Sequence, residues 1–113
     1  METEYTLIGT KTPIIITDSD THVIYANSAM EELFKLSHND LMHAVLIERV
    51  HPEDRVTVKK YAEELRSKKH MTTVRRFLDG EGHYIQIERD VVLLSDGTQL
   101  SICREVREIM GLE

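Results

Sequence analysis

Apolar positions follow two rhythms along this chain, and the changes of rhythm divide it into elements. Ile14, Ile15 and Ile16 form a run that is apolar on both faces of a strand. A strand with no polar face is usually central in its sheet and covered on both sides. Pro13 stands at its start, where a missing N–H is tolerated. Asp18-Ser19-Asp20-Thr21 is turn chemistry, and Val23 to Ala26 gives the returning strand, so the pair predicts a β-hairpin. From Asn27 the spacing becomes helical. Met30, Leu33 and Phe34 stand at i, i+3 and i+4, and Asn27 offers the side-chain oxygen of an N-cap. Ser37-His38-Asn39-Asp40 reads as a capping box with Asp in place of Glu or Gln. It leads a short helical segment with Leu41, Met42, Val45 and Leu46 as inward positions.

A further helix is expected from Pro52 to Lys68. Pro52 suits its first position, where no N–H is needed. Glu53 and Asp54 lie in the first turn and Arg66 to Lys69 in the last, the favourable order for the helix dipole. Val58, Tyr61, Ala62 and Leu65 form its inward stripe. The remainder reads as strand: Met71 to Leu78, a turn at Asp79-Gly80-Glu81-Gly82, His83 to Leu94, a turn at Ser95-Asp96-Gly97, and Thr98 to Val106. In the middle strand Ile85, Ile87, Val91 and Leu93 share one face. Two strands, then helices, then three strands predict an α+β fold with an antiparallel sheet.

Composition narrows the function more than the fold. At 113 residues the chain fits one domain, and no internal repeat, low-complexity tract or linker divides it. The domain is expected over residues 12–108, with flanks at 1–11 and 109–113. Tyr5, Leu7 and Ile8 are the apolar edge of an N-terminal helix or arm. The net charge of −6 argues against nucleic acid as a partner, and the basic run from Arg66 to His70 reads as a helix end. Cys103 is the sole cysteine, so no intrachain disulfide can form, which fits a reducing, cytoplasmic setting. No apolar stretch approaches the roughly 20 residues of a membrane span. Met1 to Lys11 lacks the basic start and apolar core of a secretory signal.

Five pieces in order carry a family likeness: Thr17-Asp18, Tyr25-Ala26-Asn27-Ser28-Ala29, Val50-His51-Pro52-Glu53-Asp54, Asp79-Gly80, and Arg104-Glu105-Val106-Arg107-Glu108. Together, at these distances, they resemble a PAS domain. The resemblance implies a five-stranded antiparallel sheet of order 2-1-5-4-3 with helices on one face. It implies a sensory or interaction module rather than an enzyme, within a larger signalling protein such as a sensor histidine kinase or a cyclic-dinucleotide enzyme. Such a module reports to an output domain in the same chain, beyond Glu108. Asn27, Pro52 and Asp54 are then helix-start residues of the fold. The family's usual ending is Asp-Ile-Thr, whereas Glu105, Val106 and Arg107 stand here. Glu105 and Arg107 are therefore the signal-relay candidates, with a hydroxyl replaced by a charge. The alternative function is a ligand-free dimerisation module, in which an outer sheet face with Leu100 and Ile102 packs on Leu7 and Ile8 or on a second copy.

Members of this family bind flavin, haem, small metabolites or nothing, so the likeness leaves the ligand unknown. A cysteinyl-flavin photoadduct is not expected, because Asp40 to Glu48 contains no Cys. Haem is not expected either. Its axial ligand is commonly His, and Pro52 to Lys68 contains none. His38 and His43, at i and i+5, are poorly spaced for a shared metal, and no metal site is expected. The cavity candidates are Arg89, Ile87 and Cys103 from the strands, and Tyr61, Val58, Leu46 and Phe34 from the helices.

Arg89 interrupts the apolar face of its strand. A two-residue turn at Asp96-Gly97 would put it opposite Arg104, and a three-residue turn with Gly97 left-handed would put it opposite Cys103. Family geometry favours the second. Arg89 either binds a carboxylate or other small anion, or plays the commoner role of pairing with a nearby Asp or Glu or reaching solvent at a bulge. Asn27, Asp54 and Cys103 form no nucleophile–base–orienter set, and no Gly-rich phosphate loop is present. No catalytic residue is assigned.

Overall fold

The computed structural model describes residues 11–107. Tyr5, Leu7 and Ile8 of the expected arm, and the joint from Glu108 onward, lie outside the described residues. The elements run β1 (Ile14–Thr17), β2 (Val23–Ala26), α1 (Ser28–Phe34), α2 (His38–Met42), two 3-10 segments (Leu46–Arg49 and Pro52–Thr57), α3 (Val58–Lys68), β3 (His70–Leu78), β4 (Tyr84–Leu93) and β5 (Gln99–Glu105). The strands form one antiparallel sheet in the order β2-β1-β5-β4-β3, as the resemblance implies. β1 lies between β2 and β5, and Ile14 and Ile15 are both buried. The two-faced apolar run is thus the inner strand that its pattern predicts.

Asn27 fixes the first corner. Its Oδ1 accepts from the N–H groups of Met30 and Ile14, both at 3.0 Å, and its Nδ2 donates to the Thr12 carbonyl at 2.7 Å. One buried amide therefore caps α1 and ties it to the start of β1. Ser37 Oγ accepts from the Asp40 N–H at 3.1 Å, the bond expected of that cap. The β1–β2 turn places Thr21 at φ 67°, a conformation costly for a β-branched residue. Its carbonyl and hydroxyl accept from the N–H groups of Leu46 and Ile47, at 2.8 and 3.1 Å. The strained turn thereby holds the first 3-10 segment against the sheet.

The helix expected from Pro52 to Lys68 is broken. Pro52 does take the first position, with His51 Nδ1 accepting from the Glu53 N–H, but the segment winds as 3-10 to Thr57 before α3 begins. Two causes act together. Val56-Thr57-Val58 is a β-branched run of weak helix propensity. The segment's start is also tied to β3. The His51 N–H donates to the Arg76 carbonyl, and the Asp54 carboxylate accepts from the Arg76 N–H.

The hairpin register is settled in favour of the three-residue turn. Leu94 donates to the Thr98 carbonyl at 2.8 Å, Gly97 sits at φ 90°, and Arg89 faces Cys103. At the other hairpin, the Gly80 N–H donates to the Phe34 carbonyl at 2.8 Å, and a Cβ on Gly80 would lie 1.9 Å from the Lys35 carbonyl oxygen. The hairpin docks on the end of α1 only because that position has no side chain. Ile15, Met30, Phe34, Leu41, Phe77, Ile87 and Cys103 are fully buried between helices and sheet. The Phe34 and Phe77 rings meet there at 5.6 Å.

Candidate functional site

Beyond this core, a cavity of about 120 Å³ opens between α3 and the inner face of β3 and β4. Helical-side walls come from Leu46, Ile47, Val50, Val58, Tyr61 and Leu65. β3 contributes Met71, Thr73, Arg75 and Phe77, and β4 contributes Arg89 and Val91. The end of β1 and the turn after it contribute Thr17, Ser19 and Thr21. Arg89, Tyr61, Val58 and Leu46 line this space. Phe34, Ile87 and Cys103 do not: they belong to the filled core. Phe77 divides the two regions, since its ring packs on Phe34 and also lies 5.8 Å beneath the Arg89 guanidinium. Ile87, one inward position before Arg89 on β4, is fully buried in that core.

Arg89 is neither paired with a carboxylate nor turned to solvent. It is 9% exposed, and its side chain makes one hydrogen bond, from Nη1 to Ser101 Oγ at 3.4 Å. Its Nε has no protein partner. Opposite it on β3 stands Thr73, whose Oγ1 is also buried and unpartnered. Arg75, two residues on and facing the same way, is 6% exposed. Its guanidinium lies 4.9 Å over the Tyr61 ring, and its Nε has no hydrogen-bond partner. Among the described residues, every buried side-chain polar atom without a partner belongs to a cavity-lining residue, except Asp79 Oδ2.

Burial sets the electrostatics. It lowers the Arg75 pKa to about 10, the Arg89 charge adding to the effect. Burial lowers that of Arg89 too. Both nevertheless stay charged, since a delocalised guanidinium is not deprotonated in a protein. The Cys103 thiol opposite Arg89 is pushed up to about 12 by burial, so it is neutral and supplies no counter-charge. The lining side chains include no imidazole, thiol or carboxylate, the donors most metal sites use. The volume is also well below the 300 Å³ or more of a drug-sized pocket. The lining is apolar side chains with two guanidinium groups, hydroxyls and one amide, and holds no His, Cys, Asp or Glu.

Arg75 was not singled out from the sequence, although a signal existed. Strand alternation counted back from Phe77 gives Arg75, Thr73 and Met71 on one face, and the burial of β3 follows that phase. Asp54 was expected only as a first-turn acid. It does stand in that first turn, and its carboxylate also accepts from the Arg76 N–H, Nε and Nη2 at 2.8, 3.0 and 2.8 Å. Those Arg76 bonds hold its carboxyl at about 2, below the ordinary 3.8. This clamp fixes the approach to α3 and so the cavity's helical wall. Glu105 ends β5, and Arg107 lies 3.5 Å from it on the exposed surface. The acidic turns at Asp18 and Asp79 spend one carboxylate oxygen each on main-chain N–H groups of their own loops.

Solved structures share this architecture. A PAS domain from Colwellia psychrerythraea superposes with a TM-score of 0.82 at 19% identity, over 93% of this chain and 94% of that one. A domain of a sensory box sensor histidine kinase/response regulator from Geobacter sulfurreducens gives 0.78 at 17%, over 91% of each chain. The PAS domain of an HTR-like protein from Haloarcula marismortui gives 0.75 at 14%, over 93% of each. No curated protein matches the chain significantly by sequence. These likenesses speak for the fold; among the described residues, no helix is long and apolar enough to cross a membrane. The sequence model of the PAS fold matches residues 5–109, and with the strand order, the Asn27 cap and the docked Asp79-Gly80 turn already in place, the chain belongs to the PAS family.

Proposed function

We propose that this PAS domain is the sensory module of a larger cytoplasmic signalling protein, such as a sensor histidine kinase or a cyclic-dinucleotide enzyme, and that its cavity binds a small molecule. One observation carries the reading: a cavity lined by apolar side chains that also holds buried polar groups without partners. Left unsatisfied, such groups cost about 1–3 kcal/mol each, and a ligand that meets them recovers that energy. Strand register supports a relay. Arg89 is paired with Cys103, two residues before Glu105, and β5 lies between β1 and β4. A change of packing at Arg89 is passed along β5 to Glu105 and Arg107, and from there to an output domain in the same chain. Only a ligand with different affinity for the two packings can drive such a shift. Native mass spectrometry of the purified domain, with hydrogen exchange along β5, tests this. A retained small molecule whose removal changes exchange at Arg104 to Val106 is expected. An empty protein with β5 exchange unaltered by any tested metabolite would end the sensor reading.

A second reading, a ligand-free dimerisation module, draws on the outer sheet face. Val74, Val92 and Ile102 are exposed there, at 49%, 42% and 45%. An apo homodimer in the same spectrum, dissociated by Ile102→Glu, would favour it.

A further inference from the structure

We propose that the ligand is a short organic carboxylate, its charged end held between Arg75 and Arg89 and its apolar body laid against Leu46, Val50 and Leu65. This assignment rests on the sensory reading of the cavity and names the class of molecule it takes.

The chain shows what it does with arginine when it supplies a partner. Arg76 binds the Asp54 carboxylate through Nε and Nη2 and reaches Glu53 at 3.1 Å. Arg104 binds Glu88 at 2.7 Å. Arg75 is the immediate neighbour of Arg76 on β3, yet it faces inward and meets an aromatic ring in place of an acid. Arg89 meets a ring and a hydroxyl. Two buried guanidinium groups thus line one space whose lining carries no Asp or Glu. Asp54 is near enough to act on Arg75 through space, but Arg76 already occupies its carboxylate. A buried charge without a partner is expensive, and two of like sign raise the cost. A single anion entering between them removes both penalties. The Thr17 and Thr73 hydroxyls, buried and unpartnered, add donors for its oxygens.

Shape and lining choose among anions. At about 30 Å³ per water, 120 Å³ is the share of about four waters, room for about four to six non-hydrogen atoms. Leu46, Val50, Val58, Leu65, Met71 and Phe77 make most of the surface apolar. A phosphate has no apolar part to offer such walls, whereas a short carboxylic acid presents two oxygens to an arginine fork and hydrocarbon to the rest.

The test is titration of the 113-residue chain, followed by methyl NMR, with propionate, butyrate, neutral propionamide and inorganic phosphate. Arg75→Met, Arg89→Met and the surface control Arg104→Met are titrated alongside the wild type. Expected is saturable binding of propionate or butyrate that moves the Val50 and Leu65 methyls. It should weaken about tenfold or more in Arg75→Met and Arg89→Met and stay unchanged in Arg104→Met. The comparison of acid with amide on the wild type needs no variant, so it stands even if a variant fails to fold. Propionamide binding as tightly as propionate, or phosphate binding more tightly than both acids, overturns the carboxylate and leaves a sensor with another ligand. No probe reaching the cavity, together with an empty native mass spectrum, overturns the sensory reading as well.

Discussion

Replacing Asp54 by Asn tests whether one carboxylate holds the 3-10 segment and α3 to the sheet. Asp54 accepts from Arg76 at 2.8, 3.0 and 2.8 Å, and its side chain is 22% exposed. Its carboxyl titrates at about 2 against an ordinary 3.8, the Arg76 side-chain bonds being the first cause. By linkage, a depression of that size corresponds to about 2.4 kcal/mol. Solvent screening of a partly exposed pair reduces this to about 1–2 kcal/mol. Asn keeps the shape but not the charge, so Asp54→Asn should lose about that much at pH 7, or about 5–15 °C in Tm for a domain of this size. Because the folded-state pKa is depressed, the stabilisation is fully present above the unfolded value and is lost as pH falls from 3.8 toward 2. In urea unfolding, the gap between wild type and variant should therefore hold from pH 7 to about pH 5 and close toward pH 2. A gap below about 0.5 kcal/mol at pH 7, or one that persists unchanged to the lowest pH, would refute this account of the clamp.

Other perturbations probe the remaining corners. Asn27→Ala removes the α1 cap and strands the buried Ile14 N–H, and chemical denaturation should show a loss of about 2–4 kcal/mol; a loss under about 1 kcal/mol would mean the amide is not the tie described. Gly80→Ala forces a Cβ to 1.9 Å from the Lys35 carbonyl and should cost about 3 kcal/mol or more. Gly97→Ala, at φ 90° in open space, should cost about 1 kcal/mol, and equal losses at the two glycines would contradict the steric argument. Cys103, buried with its thiol raised to about 12, should react with a disulfide reagent only as fast as the domain opens. Immediate stoichiometric labelling of the folded protein would show that the thiol is accessible.

Much of this protein was legible locally. The two-faced run at Ile14 to Ile16, the Asn27 and Ser37 caps, Pro52 at a helical first position and the alternation from Ile85 to Leu93 each depend on residues a few positions apart. Short-range physics constrains them before any tertiary contact forms. Alternation also placed Arg89 on the inner face, and the three-residue turn through Gly97 was one of two registers that the local chemistry left open. The break at Val56-Thr57-Val58 was likewise written in β-branched residues, but Asp54 had to reach Arg76, 22 positions away, for it to take effect.

The cavity itself was decided by tertiary structure. Tyr61, Val58 and Leu46 meet Arg89 there, while Phe34, Ile87 and Cys103 fall behind Phe77 in the core, a division that no periodicity contains. Arg75 and Arg76 are adjacent and alike in sequence. Strand phase alone turns one to the cavity and the other to Asp54, and only the sheet register brings Arg75 and Arg89 to the same space. Sequence determines caps, turns and faces because those interactions are short-range. Which unpaired charges share a pocket depends on pairings between distant segments, and these exist only once the sheet has closed.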